Sequence, residues 1–349
     1  MTFSIEQALM EGMKDPGVFE SVVELEGDAS TRRYYRITFS PRFSGLPSVV
    51  MMRYPDSHIV DGQLPFLSVH AILKKASVSV PEVYLHIPEG NLVFLEDAGD
   101  RTLMNLVDER GFDEEVFRIY RKTLQELIKI QKLGTELLTP EDLPSRLSFD
   151  SEKLTEEMVF LCEHGIKNLF PDKGEELSRT LLSLVSPVIE NLVSLPLFLT
   201  HRDYHSRNIM VTDEGEIRII DFQDARMGPL VYDVASLLFD SYVSLPESWR
   251  TKLAAEYREM ARDCSLPVGG TQEEFLLSLG EMAIQRNLKA LGTFYYMSLV
   301  RGKGKYLPSI PLTISHLKGN PVLRERHPEL RNFVIPLLER MWEEVRPDG

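Results

Sequence analysis

A chain of 349 residues with 43% hydrophobic and 26% charged side chains has the material of a two-lobed globular protein rather than one small core. Lys plus Arg number 39 against 53 for Asp plus Glu, and the resulting net charge of −14 repels nucleic acid and anionic lipid. Two cysteines, Cys162 and Cys264, make neither a disulfide framework nor a four-ligand zinc site. No apolar run is long enough to span a bilayer, and Met1-Thr2-Phe3-Ser4-Ile5-Glu6 lacks the basic and apolar regions of a secretory signal. The expected compartment is the cytoplasm, with no nucleic-acid or membrane partner.

In chain order, Ser4 caps a predicted helix over 5–13. The period then changes. Segments 22–25, 34–39 and 49–52 are rich in β-branched and aromatic residues and are separated by Gly- and Pro-containing turns, which predicts strands. Residues 64–75 suit a helix, and 83–86 and 92–95 two further strands. Residues 1–95 therefore read as an antiparallel sheet with one helix on it, 96–100 as a hinge, and 101–349 as a mainly helical lobe. In that lobe Val116, Phe117, Tyr120, Leu124, Leu127 and Ile128 recur at helical spacing and predict a helix over 113–131. Helices over 152–163 and 175–192 follow, then a β island at 197–199, 209–211 and 217–220. Helices over 247–262, 273–300 and 329–345 close the chain. The fold class is α+β, with two lobes.

The β island carries the chemistry. His201-Arg202-Asp203-Tyr204-His205-Ser206-Arg207-Asn208 fits the kinase catalytic-loop pattern H-R-D-x-x-x-x-N. The apolar strand Ile217-Arg218-Ile219-Ile220 leads into Asp221-Phe222, where a kinase places its metal-binding Asp. Phosphoryl transfer needs a carboxylate at the attacking hydroxyl, and Mg²⁺ on hard oxygen ligands to bridge the phosphates. Asp203 is the candidate base, and Asn208 and Asp221 are the candidate metal ligands. A hairpin turning at Asp213-Glu214-Gly215 would bring Asp221 back beside Asn208. Asp and Asn are common in turns, but four specified positions recur by chance in roughly one chain of this length in several hundred.

At these residues the chain resembles the aminoglycoside phosphotransferase and choline kinase superfamily, relatives of the protein kinases. Gly27-Asp28-Ala29-Ser30-Thr31-Arg32-Arg33, Leu95-Glu96-Asp97-Ala98-Gly99-Asp100, Gly228-Pro229-Leu230-Val231-Tyr232-Asp233 and Gln285-Arg286-Asn287-Leu288-Lys289 look like the bacterial anomeric kinases of N-acetylmuramate and N-acetylglucosamine. The resemblance implies a bilobal protein-kinase-like fold, ATP and Mg²⁺ as cofactors, and phosphorylation of an amino sugar's anomeric hydroxyl in peptidoglycan recycling. It also implies that Gly27, Ser30, Thr31 and Arg32 cover the ATP phosphates and that main-chain groups from Glu96 to Ala98 hold adenine. A plain hairpin turn and a solvated acidic turn also fit these two segments. Typical members carry a third-strand Lys paired with a helix Glu. Here the strand ends in Arg53 and the helix has no Glu. Arg53, Arg32 and Arg33 are the candidate substitutes, and Arg53 also suits a surface position.

Near the acceptor, His205 and Arg207 in the catalytic loop and Gln223 and Asp224 after Asp221 are candidate substrate residues. Lys289 is another, sharing a helix face with Gln285, whereas Asn287 and Lys289 are expected to diverge. Kinases of an aminoglycoside, choline, homoserine or methylthioribose are alternatives. A protein kinase is disfavoured by the lack of G-x-G-x-x-G, D-F-G and A-P-E. A non-catalytic nucleotide-binding protein has no need of Asp203, Asn208 and Asp221 together.

Overall fold

The computed structural model describes residue 9 and residues 18–25, 31–40 and 48–346. Most of the expected first helix, together with Gly27 and Ser30, lies outside them.

The first lobe is a five-stranded antiparallel sheet. Its strands are β1 (Phe19–Leu25), β2 (Arg33–Phe39), β3 (Ser48–Arg53), β4 (Val83–Ile87) and β5 (Leu92–Glu96), in the order β1-β2-β3-β5-β4. The period of two divides its faces. Ile37, Phe39, Val49 and Phe94 pack with Leu9 and Val18 on the outer face. Met52, Val93 and Leu95 face the other way, into the same core as Phe66, Val69, Ile72 and Leu73 of helix α1 (Pro65–Lys75). That core continues into the helical lobe. Strand β1 is exposed along most of its length, with Val22 and Val23 more than half accessible.

The 96–100 segment differs from a solvated acidic turn. Asp97 is held by Arg36 through two hydrogen bonds of 2.6 and 2.9 Å, and by Ser48 and the Gly99 amide. Burial works against its charge, but these partners hold its carboxyl below the usual range. Glu96 receives Arg218 at 2.8–3.0 Å from the β island.

The helical lobe contains α2 (Leu103–Arg110), α3 (Glu114–Lys129), α4 (Ser151–Leu161), α5 (Gly174–Val193), α6 (Tyr232–Leu238), α7 (Glu247–Asp263), α8 (Gln272–Tyr295), α9 (Ser309–Gly319), α10 (Pro321–Glu325) and α11 (Pro328–Val345). Caps set several starts: Asp113 accepts from the Val116 amide, and Thr102 with Asn105 and Thr271 with Glu274 form capping boxes. Helix α8 is buried nearly all round along its middle, as befits the central helix of a lobe. The expected helix over 273–300 gives way to a π turn at Tyr296–Val300. Helices α2, α9 and α10 and strand β9 (below) were not anticipated.

Within this lobe β6 (Leu197–Thr200) pairs with β9 (Arg226–Pro229), and β7 (Ile209–Val211) pairs with β8 (Ile217–Ile219). Two loops, 201–208 and 220–225, connect the pairs. The β7–β8 register sets Ile209 against Ile219, and the Ile220 amide donates to the Asn208 carbonyl at 3.0 Å. Asn208 and Asp221 thus become neighbours despite the 12 residues between them. The hairpin closes through Gly215, whose φ of +73° suits a residue without Cβ.

Candidate active site

The loop after β6 is shaped by a buried acid. Asp233, on the first turn of α6, accepts from the His201 amide at 2.7 Å and the Arg202 amide at 3.0 Å. This grip holds Arg202 at φ +84°, the left-handed region that costs a non-glycine residue about 1–3 kcal/mol. Burial pushes the Asp233 carboxyl up, against the pull of His201 and the two amides. Asp240 repeats the device, accepting from the Ser206 and Tyr242 amides at 2.8 Å each, and burial raises its carboxyl to about 6. His201 Nε2–H donates to the Ile220 carbonyl, 2.9 Å away, and so ties the two loops together.

Between these anchors the Asp203 carboxylate faces a cavity of about 310 Å³. Lys289 Nζ lies 3.0 Å from Asp203 Oδ1, and the Arg286 guanidinium lies 3.9 Å from the same oxygen. Burial opposes ionisation of Asp203, but Lys289, Arg202 and Arg286 together hold it well below the ordinary carboxylate range. Burial lowers Lys289 in turn. His205 also lines the cavity. Burial pushes it down to about 3, so its ring is neutral at physiological pH.

The Asn208 side-chain amide donates to the Asp203 carbonyl at 2.8 Å, leaving its oxygen as an acceptor. Asp221 is exposed, at φ +64°, and accepts from Gln223 at 3.0 Å and Arg32 at 3.3 Å. Phe222 turns into the core and stacks on Phe66 of α1, with ring centroids 4.9 Å apart. Among the described residues there is no cluster of three or more acidic, His or Cys side chains suited to a metal. Magnesium needs none where phosphates complete the shell, and an exposed carboxylate beside a carboxamide oxygen is a fitting hard-oxygen pair.

A loop-borne carboxylate, a neighbouring carboxamide and a second carboxylate on the returning hairpin stand together, an arrangement that phosphoryl transfer can use. Residues 21–266 match the Phosphotransferase enzyme family. An N-acetylmuramate/N-acetylglucosamine kinase of Neisseria meningitidis serogroup B is 31% identical over 332 residues, covering 92% of this chain and 91% of that protein. A protein of the same name from Pseudomonas aeruginosa is 28% identical, covering 90% and 88%. The chain belongs to the phosphotransferase enzyme family. The solved choline kinase LicA from Streptococcus pneumoniae matches this phosphotransferase with a TM-score of 0.58 at 14% identity, over 90% of this chain and 98% of its own. ADP-bound aminoglycoside phosphotransferase APH(2'')-Ib matches with a TM-score of 0.55 at 13% identity, over 88% and 98%. The bilobal protein-kinase-like fold follows from both.

The phosphotransferase brings some expected residues to its cavity and not others. Asp203, His205, Arg207, Asn208, Asp221 and Lys289 line it. Gln223 and Asp224 do not; Gln223 bonds Asp221 and Asp224 pairs with Arg202. Gln285 is buried against Glu157 rather than sharing the cavity with Lys289. Asn287 does line it, contrary to the expected divergence, because the cavity spans a broad face of α8. Thr31 bonds His58 at 2.8 Å, and Ala98 is half-buried at the hinge. Arg53 is exposed at the end of β3. Sequence reading missed Arg286, Asp240, Tyr242, Phe294 and Tyr306. Only Arg286 carried a signal, three residues before Lys289 on one helical face.

Proposed function

We propose that this phosphotransferase is an ATP- and Mg²⁺-dependent sugar kinase acting on an N-acetylated amino sugar such as N-acetylmuramate or N-acetylglucosamine, at the anomeric hydroxyl. The relatives' names over nine-tenths of the chain support the substrate class. The observation that carries it is the charge of the cavity. Arg202, Arg207, Arg286 and Lys289 line it against Asp203, Asp221 and Asp240, so it is not the acidic pocket that a polycationic aminoglycoside would require. Tyr242, Phe239, Phe294 and Tyr306 offer aromatic surface for the apolar side of a sugar ring. The cation over Tyr242 is the protein's own Arg207, 4.8 Å from the ring centre, which disfavours a choline cage there.

In this reading residues 1–95 are the nucleotide-binding lobe, with adenine on main-chain groups of the 96–100 hinge, and 101–349 carry the acceptor. Asn208 and Asp221 would hold magnesium, which would neutralise charge on the phosphates. Asp203 orients the sugar hydroxyl and takes its proton as the oxygen bonds to the γ-phosphorus and the bridging P–O bond breaks, releasing ADP. A carboxylate held so far down is a weak base. That suits a loose transition state in which the proton leaves late and positioning dominates. Lys289 and Arg286 keep Asp203 ionised. Such a protein works where ATP and reduced thiols are found, the cytoplasm.

The test is a transfer assay with N-acetylmuramate, N-acetylglucosamine, N-acetylgalactosamine, simple hexoses, choline and kanamycin, with the phosphorylated carbon located by NMR. Preference for an N-acetylated sugar at C1 is expected. Faster turnover of choline or kanamycin would overturn the reading.

A further inference from the structure

Helix α8 walls one side of the cavity with Arg286, Asn287, Lys289, Ala290, Thr293 and Phe294. Most polar groups around it are already engaged. Arg286 and Lys289 attend Asp203. The Ser236 hydroxyl accepts from Arg286 at 2.8 Å, the Thr293 hydroxyl donates to the Lys289 carbonyl at 3.3 Å, and Asp240 accepts from the Ser206 and Tyr242 amides. Asn287 differs. It is only 2% exposed, and its amide nitrogen donates to the Ala283 carbonyl one turn back at 2.8 Å. That bond fixes which way the amide points, because a carbonyl can be met only by the NH2 end. The amide oxygen is left with no partner among the described residues, although a buried polar group ordinarily has one. Ala290 and Phe294 follow on the same face of the helix. Ala290 is small and leaves a notch. Buried Phe294 closes one end of that notch, with the rings of Tyr242 and Tyr306 centred 6.0 and 6.1 Å from its own.

We propose that Asn287 and Ala290 read the acceptor's acetamido group, an assignment that rests on the amino-sugar reading above. An acetamido group offers an N–H donor and a methyl side by side. The N–H meets the Asn287 oxygen, and the methyl settles in the Ala290 notch against Phe294. A hydroxyl in the same place supplies the donor but nothing to fill the notch. The position agrees with the chemistry. The acetamido group is carried on C2, next to the anomeric carbon whose hydroxyl faces Asp203. Asn287 adjoins Arg286, one of the two α8 cations that hold the Asp203 carboxylate.

The experiment is calorimetric binding of N-acetylglucosamine, glucose and 2-deoxyglucose to the full chain and to Asn287→Leu, Asn287→Ser and Ala290→Leu. Wild type is expected to bind N-acetylglucosamine at least about tenfold tighter than 2-deoxyglucose. Asn287→Leu should cut this preference roughly 3- to 10-fold, the share of one neutral hydrogen bond. Asn287→Ser, whose hydroxyl can keep the bond to the Ala283 carbonyl, should do the same. Ala290→Leu fills the notch and should weaken N-acetylglucosamine about tenfold, with 2-deoxyglucose affected far less. Variants that weaken both sugars alike would mark these residues as merely structural and overturn the assignment. So would a wild type that binds glucose as tightly as N-acetylglucosamine, since Asn287 would then be reading a hydroxyl. Selective binding of N-acetylglucosamine without phosphoryl transfer defeats the kinase reading and leaves the acetamido site standing. Transfer to an N-acetylated sugar with the preference unmoved in all three variants defeats the acetamido site alone. A wild-type chain that binds no N-acetylated sugar defeats both.

Discussion

Replacing Asp233 by Ala tests how the catalytic loop is built. The carboxylate never reaches the cavity; it acts through the His201 and Arg202 amides. Two hydrogen bonds to a charged acceptor contribute about 1.5–3 kcal/mol each, and their loss strands two buried donors. Against that, burial already raises the Asp233 carboxyl, so its removal recovers part of a desolvation cost. The net loss should be about 2–4 kcal/mol, a large share of the 5–15 kcal/mol typical of a folded domain. The rate should fall as well. Arg202 would relax from φ +84°, carrying Asp203 with it, and a shift of about 1 Å at a reacting group costs roughly 100-fold. Urea unfolding at constant m-value gives the first quantity and steady-state kinetics the second, with Asp233→Asn expected to lie between wild type and Ala. A stability change under about 0.5 kcal/mol with kcat within about threefold would refute the idea that this carboxylate sets the loop.

Other outcomes follow from the same geometry. Asp203→Ala should abolish transfer while nucleotide binding, read by calorimetry, stays near wild type; near-normal turnover would unseat Asp203 as base. Asp221→Ala should weaken Mg-ATP binding and turnover together, and a pure kcat effect would count against a metal role. Lys289→Met should lift Asp203 from its depressed range, so the acid limb of the kcat–pH profile should move to higher pH; an unmoved limb would show that Lys289 does not set the base. Asp240 titrates near 6 when folded and near 3.8 when not, so its protonation stabilises the fold below about pH 4, and that contribution fades as pH rises to 6. Asp240→Asn should therefore gain about 3 kcal/mol relative to wild type between pH 4 and pH 7, measured as the difference in urea stability. A pH-independent difference would contradict a buried ionised Asp240.

The catalytic loop was legible because its information is local: Asp203 and Asn208 share one loop, and a short hairpin fixes the offset to Asp221. The sheet was legible because alternation at Ile37, Phe39, Val49 and Phe94 reports its outer face. What escaped is held by long-range partners. Glu96 and Asp97 look like a solvated turn until Arg218 and Arg36 arrive from 122 and 61 positions away. Strand β9 was missed because Arg226-Met227-Gly228-Pro229 is short and carries Gly and Pro, both poor strand residues. Gln223 and Asp224 adjoin Asp221 in sequence, but the chain turns away after Phe222 plugs into α1. Nearness along the chain was then no guide to the cavity.

The hinge contacts have a kinetic consequence. The β5–β4 side of the sheet is sewn to the helical lobe by Glu96–Arg218, by the Ile219 amide on the Ser79 carbonyl at 2.8 Å, and by the Ser79 amide on Glu126 at 2.7 Å. Swinging one whole lobe from the other would break all of these at once. The opposite side ends in the exposed β1, paired only with β2. Opening of the cleft then needs only that exposed ribbon to flex, a motion of the fast loop class rather than a domain rotation. An enzyme built this way should spend little of its turnover time waiting for the cleft to open.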